Sequence, residues 1–311
     1  MLISSNSFSK NSAELNLKNQ IHLPSPAKLN LFLHIIGRKE NGYHKLQTLF
    51  QFIDVCDQLI FTLIDNDPID KDDSVELLNP INGVATKDNL IYQAAKMLLP
   101  YRSKKTTQGI KIALEKQLPM GGGIGGGSSN AATTLLALNQ LWQCNLSHDE
   151  LAKIGLELGA DVPIFILGKS AFAEGVGEVL TEVSPIEPYY LLLKPNCEVQ
   201  TSQIFNDKDL TRDTPAIKIS HALKLNKRND CLEVVRKHNP DVNDAYNWLK
   251  SHGDAQLTGT GSCLFSAFTN LDDAIAVKEI VPSQWQSWVC RGCNVSPTHH
   301  MLHQWIKNFG V

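Results

Sequence analysis

A run of glycine occupies the middle of this chain, where residues 121–127 contain six glycines. Glycine has no Cβ atom, so such a segment can adopt positive φ angles and allows a ligand to approach the backbone closely. The run leads into a segment in which apolar residues recur with helical spacing at Ala131, Leu135, Leu138 and Trp142. We expect a loop that enters an amphipathic helix, capped in its first turn by Ser128, Ser129 or Asn130.

A glycine loop before a helix is typical of an anion site, because free N–H groups and the positive end of the helix dipole converge there. We expect phosphate as the ligand. A flexible linker is the ordinary alternative, although a linker would not normally enter a well-patterned helix.

The glycine run does not match either of two familiar phosphate-binding motifs. The dinucleotide spacing of Gly121, Gly123 and Gly126 lacks a following ribose-binding acid, and Ser128 stands where a P-loop requires lysine.

Size and composition are those of a globular protein with about two domains. The chain has 311 residues, of which 42% are hydrophobic and 20% are charged. A net charge of −3 argues against a dedicated binder of nucleic acid or of an anionic membrane. The first twenty residues are polar and lack the apolar core of a signal peptide, so we expect a disordered N-terminal extension.

Seven scattered cysteines, an odd number, favour a reduced cytoplasmic protein over a disulfide scaffold. Cys290 and Cys293 form a single CxxC pair. Two incidental thiols are a simpler interpretation of this pair than a zinc or redox site. The histidines at 299, 300 and 303 could bind a metal, but a helical tail with exposed histidines is the simpler interpretation here too.

Residues 26–34 alternate as a strand with one buried side. Lys28 and Asn30 then project together from the other side. A strand lysine is ordinarily a solvated residue, so a role for Lys28 depends on what joins it.

Turn and capping residues divide the rest of the first half. Asn41-Gly42 predicts a hairpin, followed by strands at 46–53 and 58–64 and a third strand at 109–115. A helix is expected over 87–99 with Asp88 as its cap, and Ser147 and Glu150 form a capping box for a helix that Gly159 ends. Asp161 precedes a proline-bearing helix start, so an N-cap is the ordinary role for it.

A buried strand at 189–193 opens the second half. The patterning beyond it predicts helices at 201–205, 229–236, 244–250 and 272–280 and a strand at 288–293. Residues 256–268 are expected to form a pair of strands joined at Gly259 and Gly261. These two glycines are typical either of a turn or of a second backbone approach to a ligand.

Four stretches, taken in order, carry a resemblance: residues 24–33, 119–130, 158–163 and 257–263. In order and content they resemble the GHMP small-molecule kinases, named for galactokinase, homoserine kinase, mevalonate kinase and phosphomevalonate kinase. Residues 42–44, 88–90 and 173–177 make the chain more similar to the members that phosphorylate 4-diphosphocytidyl-2-C-methyl-D-erythritol in non-mevalonate isoprenoid synthesis. The resemblance extends from about residue 24 to near the C-terminus.

The resemblance implies an α+β fold of two domains with the substrate and ATP between them. It places a disordered extension at 1–22, an ATP-binding domain resembling ribosomal protein S5 domain 2 at 23–182, and a ferredoxin-like, substrate-binding domain at 183–311. The implied reaction transfers the γ-phosphoryl group of ATP to the 2-hydroxyl of the methylerythritol moiety.

The residue types suit that reaction. A hydroxyl nucleophile needs a proton acceptor, and a nearby lysine ammonium favours the ionised form of a carboxylate. The resemblance therefore implies Asp161 as the base and Lys28 as its partner, with the lysine also offsetting charge on the transferred group.

The binding residues are likewise carried over from the family. The ATP-binding set is Asn89 and Leu90 near the adenine, with Pro119, Met120, Gly121, Gly122, Gly123, Ile124, Gly125, Gly126, Gly127, Ser128 and Ser129 around the triphosphate. The substrate-binding set is Tyr43, His44 and Phe205 for the cytosine, with Asn30 and Thr201 as polar contacts. Mg²⁺ is expected with ATP; its ligands stay unassigned, with a hydroxyl of Ser128 or Ser129 as one suggestion.

Three rival functions follow from the same residues. A related kinase or decarboxylase for another alcohol is disfavoured by Tyr43 and His44, because such substrates contain no base. A ligand sensor is disfavoured by the presence of both Lys28 and Asp161, and a dinucleotide oxidoreductase by the incomplete glycine motif. We expect a cytoplasmic monomer or weak homodimer without a nucleic-acid or membrane partner.

Overall fold

The structure, a computed structural model, describes residues 19–40, 42–65, 74–106, 108–225 and 228–309. Its strands are β1 Gln20–Arg38, β2 His44–Ile64, β3 Val75–Leu77, β4 Gly109–Glu115, β5 Ala171–Glu174, β6 Val179–Glu182, β7 Tyr189–Lys194, β8 Gln256–Leu257, β9 Leu264–Phe268 and β10 Gln286–Cys293. Its α-helices are α1 Leu90–Leu98, α2 Gly126–Leu141, α3 His148–Leu158, α4 Val162–Leu167, α5 Thr201–Asn206, α6 Ile219–Leu225, α7 Leu232–His238, α8 Pro240–Lys250, α9 Leu271–Glu279 and α10 Pro297–Phe309.

The described strands form one mixed sheet. Hydrogen-bonded neighbours follow the order β3-β4-β2-β10-β7-β9-β8, while β1 pairs with β2 and β5 joins β2 to β6. The antiparallel pairing of Arg38 with His44 confirms the predicted hairpin, although Asn41 itself lies outside the described residues. The two strands predicted at 46–53 and 58–64 are one continuous strand, β2, which carries four partners along its length.

Strand β1 is buried on both faces, which corrects the prediction of a single buried side. Lys28, Asn30 and His34 are each no more than 3% exposed, as is Leu29 on the opposite face. The register with β2 shifts between Pro26 and Lys28 and again after Asn30. Such irregularities bend a strand and redirect its side chains, so the segment that carries Lys28 and Asn30 departs from a regular ladder.

Two of the predicted helix caps differ from the structure. Helix α2 begins inside the glycine run, because Gly125 adopts a left-handed φ of 75° and turns the chain into the helix there. The capping role predicted for Ser128, Ser129 or Asn130 is therefore wrong. Asn89, rather than Asp88, caps α1 by accepting from the Ile91 N–H. The capping box of Ser147 and Glu150 is confirmed.

Strand β1 contributes to four hydrophobic clusters, of which Phe32 joins the smallest. Its start, Ile21 and Leu23, joins the largest cluster, between the sheet and helices α1 to α4. Its end, Leu33 and Ile35, joins a second cluster with β7, α7 and α8. Between them, Ala27 and Leu29 contact a third cluster that includes Tyr190, Leu192 and Phe265. Burial of apolar surface along one strand therefore holds the two halves of the chain together.

Helix α10 packs against the start of β1. The strand begins at Gln20, so residues 20–22 of the predicted extension belong to the sheet, while residues 1–18 lie outside the described residues. From α10, the Trp305 indole donates to the Gln20 carbonyl at 3.1 Å and the Thr298 hydroxyl donates to the Pro24 carbonyl at 2.7 Å. The boundary between residues 182 and 183 stays a prediction.

One histidine of the predicted helical tail is largely buried. The Nε2 atom of His299, at the start of α10, lies 2.9 Å from the Ile166 carbonyl near the end of α4, and its ring meets His148 edge-on. Burial is the main cause that lowers the pKa of His299 from 6.5 to about 4. His299 is therefore neutral in the folded protein at physiological pH.

Because unfolded His299 binds a proton near pH 6.5 and folded His299 does not, stability falls as the pH is lowered from 6.5 towards 4. Between pH 7 and pH 5 we expect this group to remove about 2 kcal/mol from the free energy of unfolding. Urea denaturation at both pH values, with His299→Phe as the comparison, measures the effect. An equal loss in the wild type and the variant would contradict it.

Candidate active site

Lys28 and Asp161, which are far apart in sequence, meet beside a cavity. The Nζ atom of Lys28 lies 3.2 Å from Oδ2 of Asp161, and the two side chains are 3% and 36% exposed. The same ammonium donates to Oδ1 of Asn30 at 2.6 Å and to the Gly123 carbonyl at 3.0 Å. These three acceptors match the three N–H groups of an ammonium, which a buried cation requires.

Asp161 occupies the N-cap position of α4, but its side chain makes no capping bond there. Pro163 lies in the first turn of this short helix and has no N–H to offer. The carboxylate is paired with Lys28 and still reaches the cavity. The geometry of Asp161 is therefore that of a cavity carboxylate and not of a helix cap.

Asn30 is held by two threonines that sequence inspection did not single out as site residues. Its Nδ2 donates to Thr48 Oγ1 at 2.9 Å, and its backbone N–H donates to Thr258 Oγ1 at 3.0 Å. These contacts leave the side-chain oxygen of Asn30, Oδ1, facing Lys28. Thr48 and Thr258 therefore orient the amide that orients the lysine.

The glycine loop packs against the second glycine cluster. Gly121, Gly123 and Gly125 have φ values of 64°, 70° and 75°. A Cβ atom on Gly122 would lie 2.5 Å from Cys263 Sγ, and one on Gly123 would lie 2.5 Å from the Thr258 carbonyl oxygen. Of the two interpretations of Gly259 and Gly261, the structure shows a tight turn that approaches another backbone. Several glycines of the run are thus required by packing within the protein.

The first turn of α2 is the part of the loop suited to an anion. Gly126, Gly127 and Ser128 follow the N-cap Gly125, so their N–H groups have no intrahelical acceptor. Gly127 is exposed, and Ser128 lines the cavity. Ser129 differs, because its N–H donates to the Gly125 carbonyl and its buried hydroxyl accepts from Ser25 at 2.8 Å. These contacts leave Ser128 as the more accessible of the two predicted hydroxyls.

The remaining predicted nucleotide contacts surround this turn. A Cβ atom on Gly127 would lie 3.4 Å from Leu90 Cδ1, which places Leu90 beside the start of α2. Asn89 is buried and engaged as the cap of α1. Ile124 is buried in the core, whereas Met120 is 49% exposed and Pro119 is partly buried. Their proximity to a nucleotide stays a prediction.

A buried carboxylate anchors the chain ahead of the glycine loop. Asp57 is 0% exposed and accepts from Lys116 Nζ at 2.9 Å, from the N–H groups of Gln117 and Leu118, and from Asn130 of α2. It therefore joins β2 to both ends of the glycine loop. Asp57 could not be singled out from the sequence, because an aspartate within a strand is ordinarily a surface residue.

The cavity beside Lys28 and Asp161 has a volume of about 750 Å³. Predicted site residues that line it are Lys28, Asn30, Tyr43, His44, Gly123, Gly125, Ser128, Asp161, Thr201 and Phe205. A larger cavity, of about 1130 Å³, is bordered by Asn139, Ser147 and Trp305 and contains none of these residues. The smaller cavity is the candidate site because it joins the ion pair to the glycine loop.

The aromatic end of the cavity is lined by Tyr43, His44 and Phe205. The rings of His44 and Phe205 stack with centroids 5.0 Å apart, and Tyr43 is 65% exposed. Burial, followed by the charges of Arg212 and Arg38, lowers the pKa of His44 below 6.5. The hydroxyl groups of Thr201 and Thr260 are hydrogen-bonded to each other at 2.9 Å.

No group of three or more His, Cys, Asp or Glu side chains in the described parts of the chain is arranged to hold a metal ion. The cysteines, including Cys290 and Cys293, are free thiols, and burial raises the pKa of Cys293 to about 11. Among the described helices, none has the length and apolar composition that a membrane span needs.

Comparison with known proteins identifies the family. The model of the GHMP kinase N-terminal domain matches residues 89–169, and that of the GHMP kinase C-terminal domain matches residues 215–287. A protein of Marinomonas sp. (strain MWYL1) is 64% identical over 294 residues, which cover 94% of both chains. The chain belongs to the GHMP kinase family. This membership confirms the two-domain α+β fold class inferred from the four motifs.

Two similar proteins and one similar crystal structure carry the name of the same kinase. The Marinomonas protein is a 4-diphosphocytidyl-2-C-methyl-D-erythritol kinase, as is a protein of Marinobacter nauticus that is 52% identical over 91% of this chain and 98% of its own. A crystal structure of 4-(cytidine 5'-diphospho)-2C-methyl-D-erythritol kinase is 28% identical, with a TM-score of 0.75 over 88% of this chain and 99% of that chain. A mevalonate kinase structure, 18% identical with a TM-score of 0.63, shares the fold.

Two glycine variants separate packing from ligand binding. We expect Gly123→Ala to lower the free energy of unfolding by roughly 2 kcal/mol or more, because its Cβ atom would meet the Thr258 carbonyl at a positive φ. Gly127→Ala should keep the stability, because a Cβ atom at this helical site would make only an ordinary contact with Leu90, yet raise the KM for ATP. Thermal unfolding and steady-state kinetics measure both effects. A Gly123→Ala protein as stable as the wild type would contradict the packing account.

Proposed function

We propose that this GHMP kinase transfers the γ-phosphoryl group of ATP to the 2-hydroxyl of 4-diphosphocytidyl-2-C-methyl-D-erythritol. The observation that carries the proposal is the contact of Lys28 with Asp161 beside a cavity that is lined both by the glycine loop and by aromatic rings. The names of relatives 52% to 64% identical to the chain support the choice of substrate.

In the proposed reaction, the substrate hydroxyl gives its proton to Asp161 as its oxygen forms a bond to the γ-phosphorus. The bond from that phosphorus to the bridging oxygen breaks, and ADP leaves with the bonding electrons. Asp161 is accessible at the cavity, while Lys28 is fixed by three acceptors. As Asp161 gains a proton, its attraction for Lys28 falls, and the lysine can stabilise charge on the phosphoryl group.

We infer that ATP binds with its phosphates at the first turn of α2. The N–H groups of Gly126, Gly127 and Ser128 and the helix dipole supply the attraction for anions. The described residues offer Ser128 and Asp161 near the cavity but no three-ligand cluster, so Mg²⁺ is proposed to arrive bound to phosphate and water oxygens. The ion would reduce repulsion between the triphosphate and Asp161.

The cytosine is proposed to stack at the aromatic end. His44 and Phe205 already contact each other, so a base does not fit between those two rings. It would instead lie against the outer face of Phe205, with the exposed Tyr43 ring available to cover it. Asn30 and Thr201, which line the same cavity, are proposed polar contacts for the rest of the substrate. A cytoplasmic location and a monomer or weak homodimer stay predictions.

We expect Asp161→Asn to lower kcat by about 10² to 10⁴, because the amide cannot accept the hydroxyl proton. Tyr43→Ala is the contrasting variant: its loss of stacking should raise the KM for the cytidyl substrate by roughly tenfold and leave the KM for ATP unchanged. ADP release with ATP, Mg²⁺ and the cytidyl substrate measures both variants, with mevalonate and homoserine as control substrates.

Turnover with mevalonate or homoserine but not with the cytidyl substrate would overturn the proposed specificity. Full activity of Asp161→Asn would retain the kinase and exclude Asp161 as the base. Equal effects of Tyr43→Ala on both KM values would exclude a selective stacking role.

A further inference from the structure

Arg212 makes an unusual set of contacts at the aromatic end of the cavity. Its guanidinium donates to the Phe205 carbonyl at 3.0 Å, the Asp207 carbonyl at 2.6 Å and the Leu210 carbonyl at 3.1 Å. Its Nε donates to His44 Nε2 at 3.2 Å. One side chain therefore connects the end of α5 and the loop after it to the start of β2.

These contacts hold both members of the stacked ring pair. Phe205 belongs to the last turn of α5, where carbonyls lack intrahelical donors, and the guanidinium supplies donors to that turn. His44 is 8% exposed and stacks on Phe205 at 5.0 Å. The arginine therefore fixes the backbone that carries one ring and the nitrogen of the other ring.

The bond to His44 also selects its chemical form. Arginine has only donors, so His44 Nε2 must present a lone pair to it. The proton of a neutral imidazole then resides on Nδ1, and a doubly protonated ring could not accept this bond. Burial is the largest cause that lowers the pKa of His44, and the charge of Arg212, followed by that of Arg38, lowers it further.

We propose that Arg212 is a specificity-determining positioning residue, which keeps His44 neutral, protonated on Nδ1 and stacked on Phe205, and thereby preforms the surface that receives the nucleobase. This inference rests on the proposed function for its kinetic consequences. The state of His44 in the free protein does not depend on that function.

Two substitutions of Arg212 test the role in binding. Arg212→Met removes every donor and the charge, and Arg212→Lys keeps the charge without the planar fork. We expect Arg212→Met to raise the KM for the cytidyl substrate by about tenfold and to leave the KM for ATP within about twofold. Arg212→Lys should lie between the wild type and Arg212→Met.

The pH dependence gives a readout that a purely structural role would not change. Without Arg212, the pKa of His44 rises towards 6.5, although burial and Arg38 still oppose protonation. We therefore expect the increase in KM on acidification to begin at higher pH in Arg212→Met than in the wild type. In Arg212→Lys, which retains a cation, the shift should be smaller.

Arg236→Met is the matched control. Arg236 also makes three side-chain hydrogen bonds in the second half of the chain, to Glu233, Asn243 and Asn247, but none of these partners lines the cavity, whereas His44 and Phe205 do. We expect this variant to lose stability without a change in either KM. Equal increases in the KM for the cytidyl substrate in both arginine variants would overturn the proposal.

Nitrogen NMR of the full-length, ligand-free protein tests the state of His44 apart from activity. The proposal predicts a neutral ring with protonated Nδ1 at pH 7 in the wild type and a higher pKa in Arg212→Met. A proton on Nε2 in the wild type, or an unchanged pKa in the variant, would overturn it. If the NMR result agrees but the cytidyl substrate is not phosphorylated, the proposed function fails and the role of Arg212 towards His44 stands.

Discussion

The burial of one ammonium group constrains much of this structure. Lys28 is almost inaccessible, and a charge in that position is tolerated only when its donors are satisfied. Its acceptors come from β1, the glycine loop and the residue before α4. The three elements must therefore lie together, and the charged acceptor among them, Asp161, lines the cavity. The same requirement that keeps the fold intact thus places a carboxylate where a hydroxyl can reach it.

Packing explains the glycine run as fully as ligand binding does. Gly122 and Gly123 have no room for a side chain because the turn at 258–263 lies against them, and the Gly123 carbonyl holds Lys28. The later glycines begin α2, where a Cβ atom on Gly127 would make only an ordinary contact with Leu90. One short segment therefore has two roles in sequence order: it first contacts the second half of the chain and then presents N–H groups at a helix end.

Features that depend on neighbouring residues could be predicted from the sequence, whereas features that depend on contacts between distant residues could not. The Asn41-Gly42 hairpin and the Ser147 capping box are local, and they were predicted correctly, whereas the alternation of β1 predicted only one of its two buried faces. The start of α2 was predicted too late, because the left-handed Gly125 acts as the N-cap. The family resemblance suggested Lys28 and Asp161. Residues held by distant partners, such as Asp57 and Arg212, had no local signal because their roles depend on contacts across the fold.

A crystal structure of the protein with the cytidyl substrate and a non-hydrolysable ATP analogue would test the central claim most directly. The decisive quantity is the distance from Asp161 Oδ to the substrate 2-hydroxyl oxygen. The account predicts hydrogen-bond contact, within about 3.2 Å, with Lys28 Nζ near the γ-phosphate and the triphosphate at the first turn of α2. A 2-hydroxyl out of reach of Asp161, or a triphosphate bound away from α2, would contradict it.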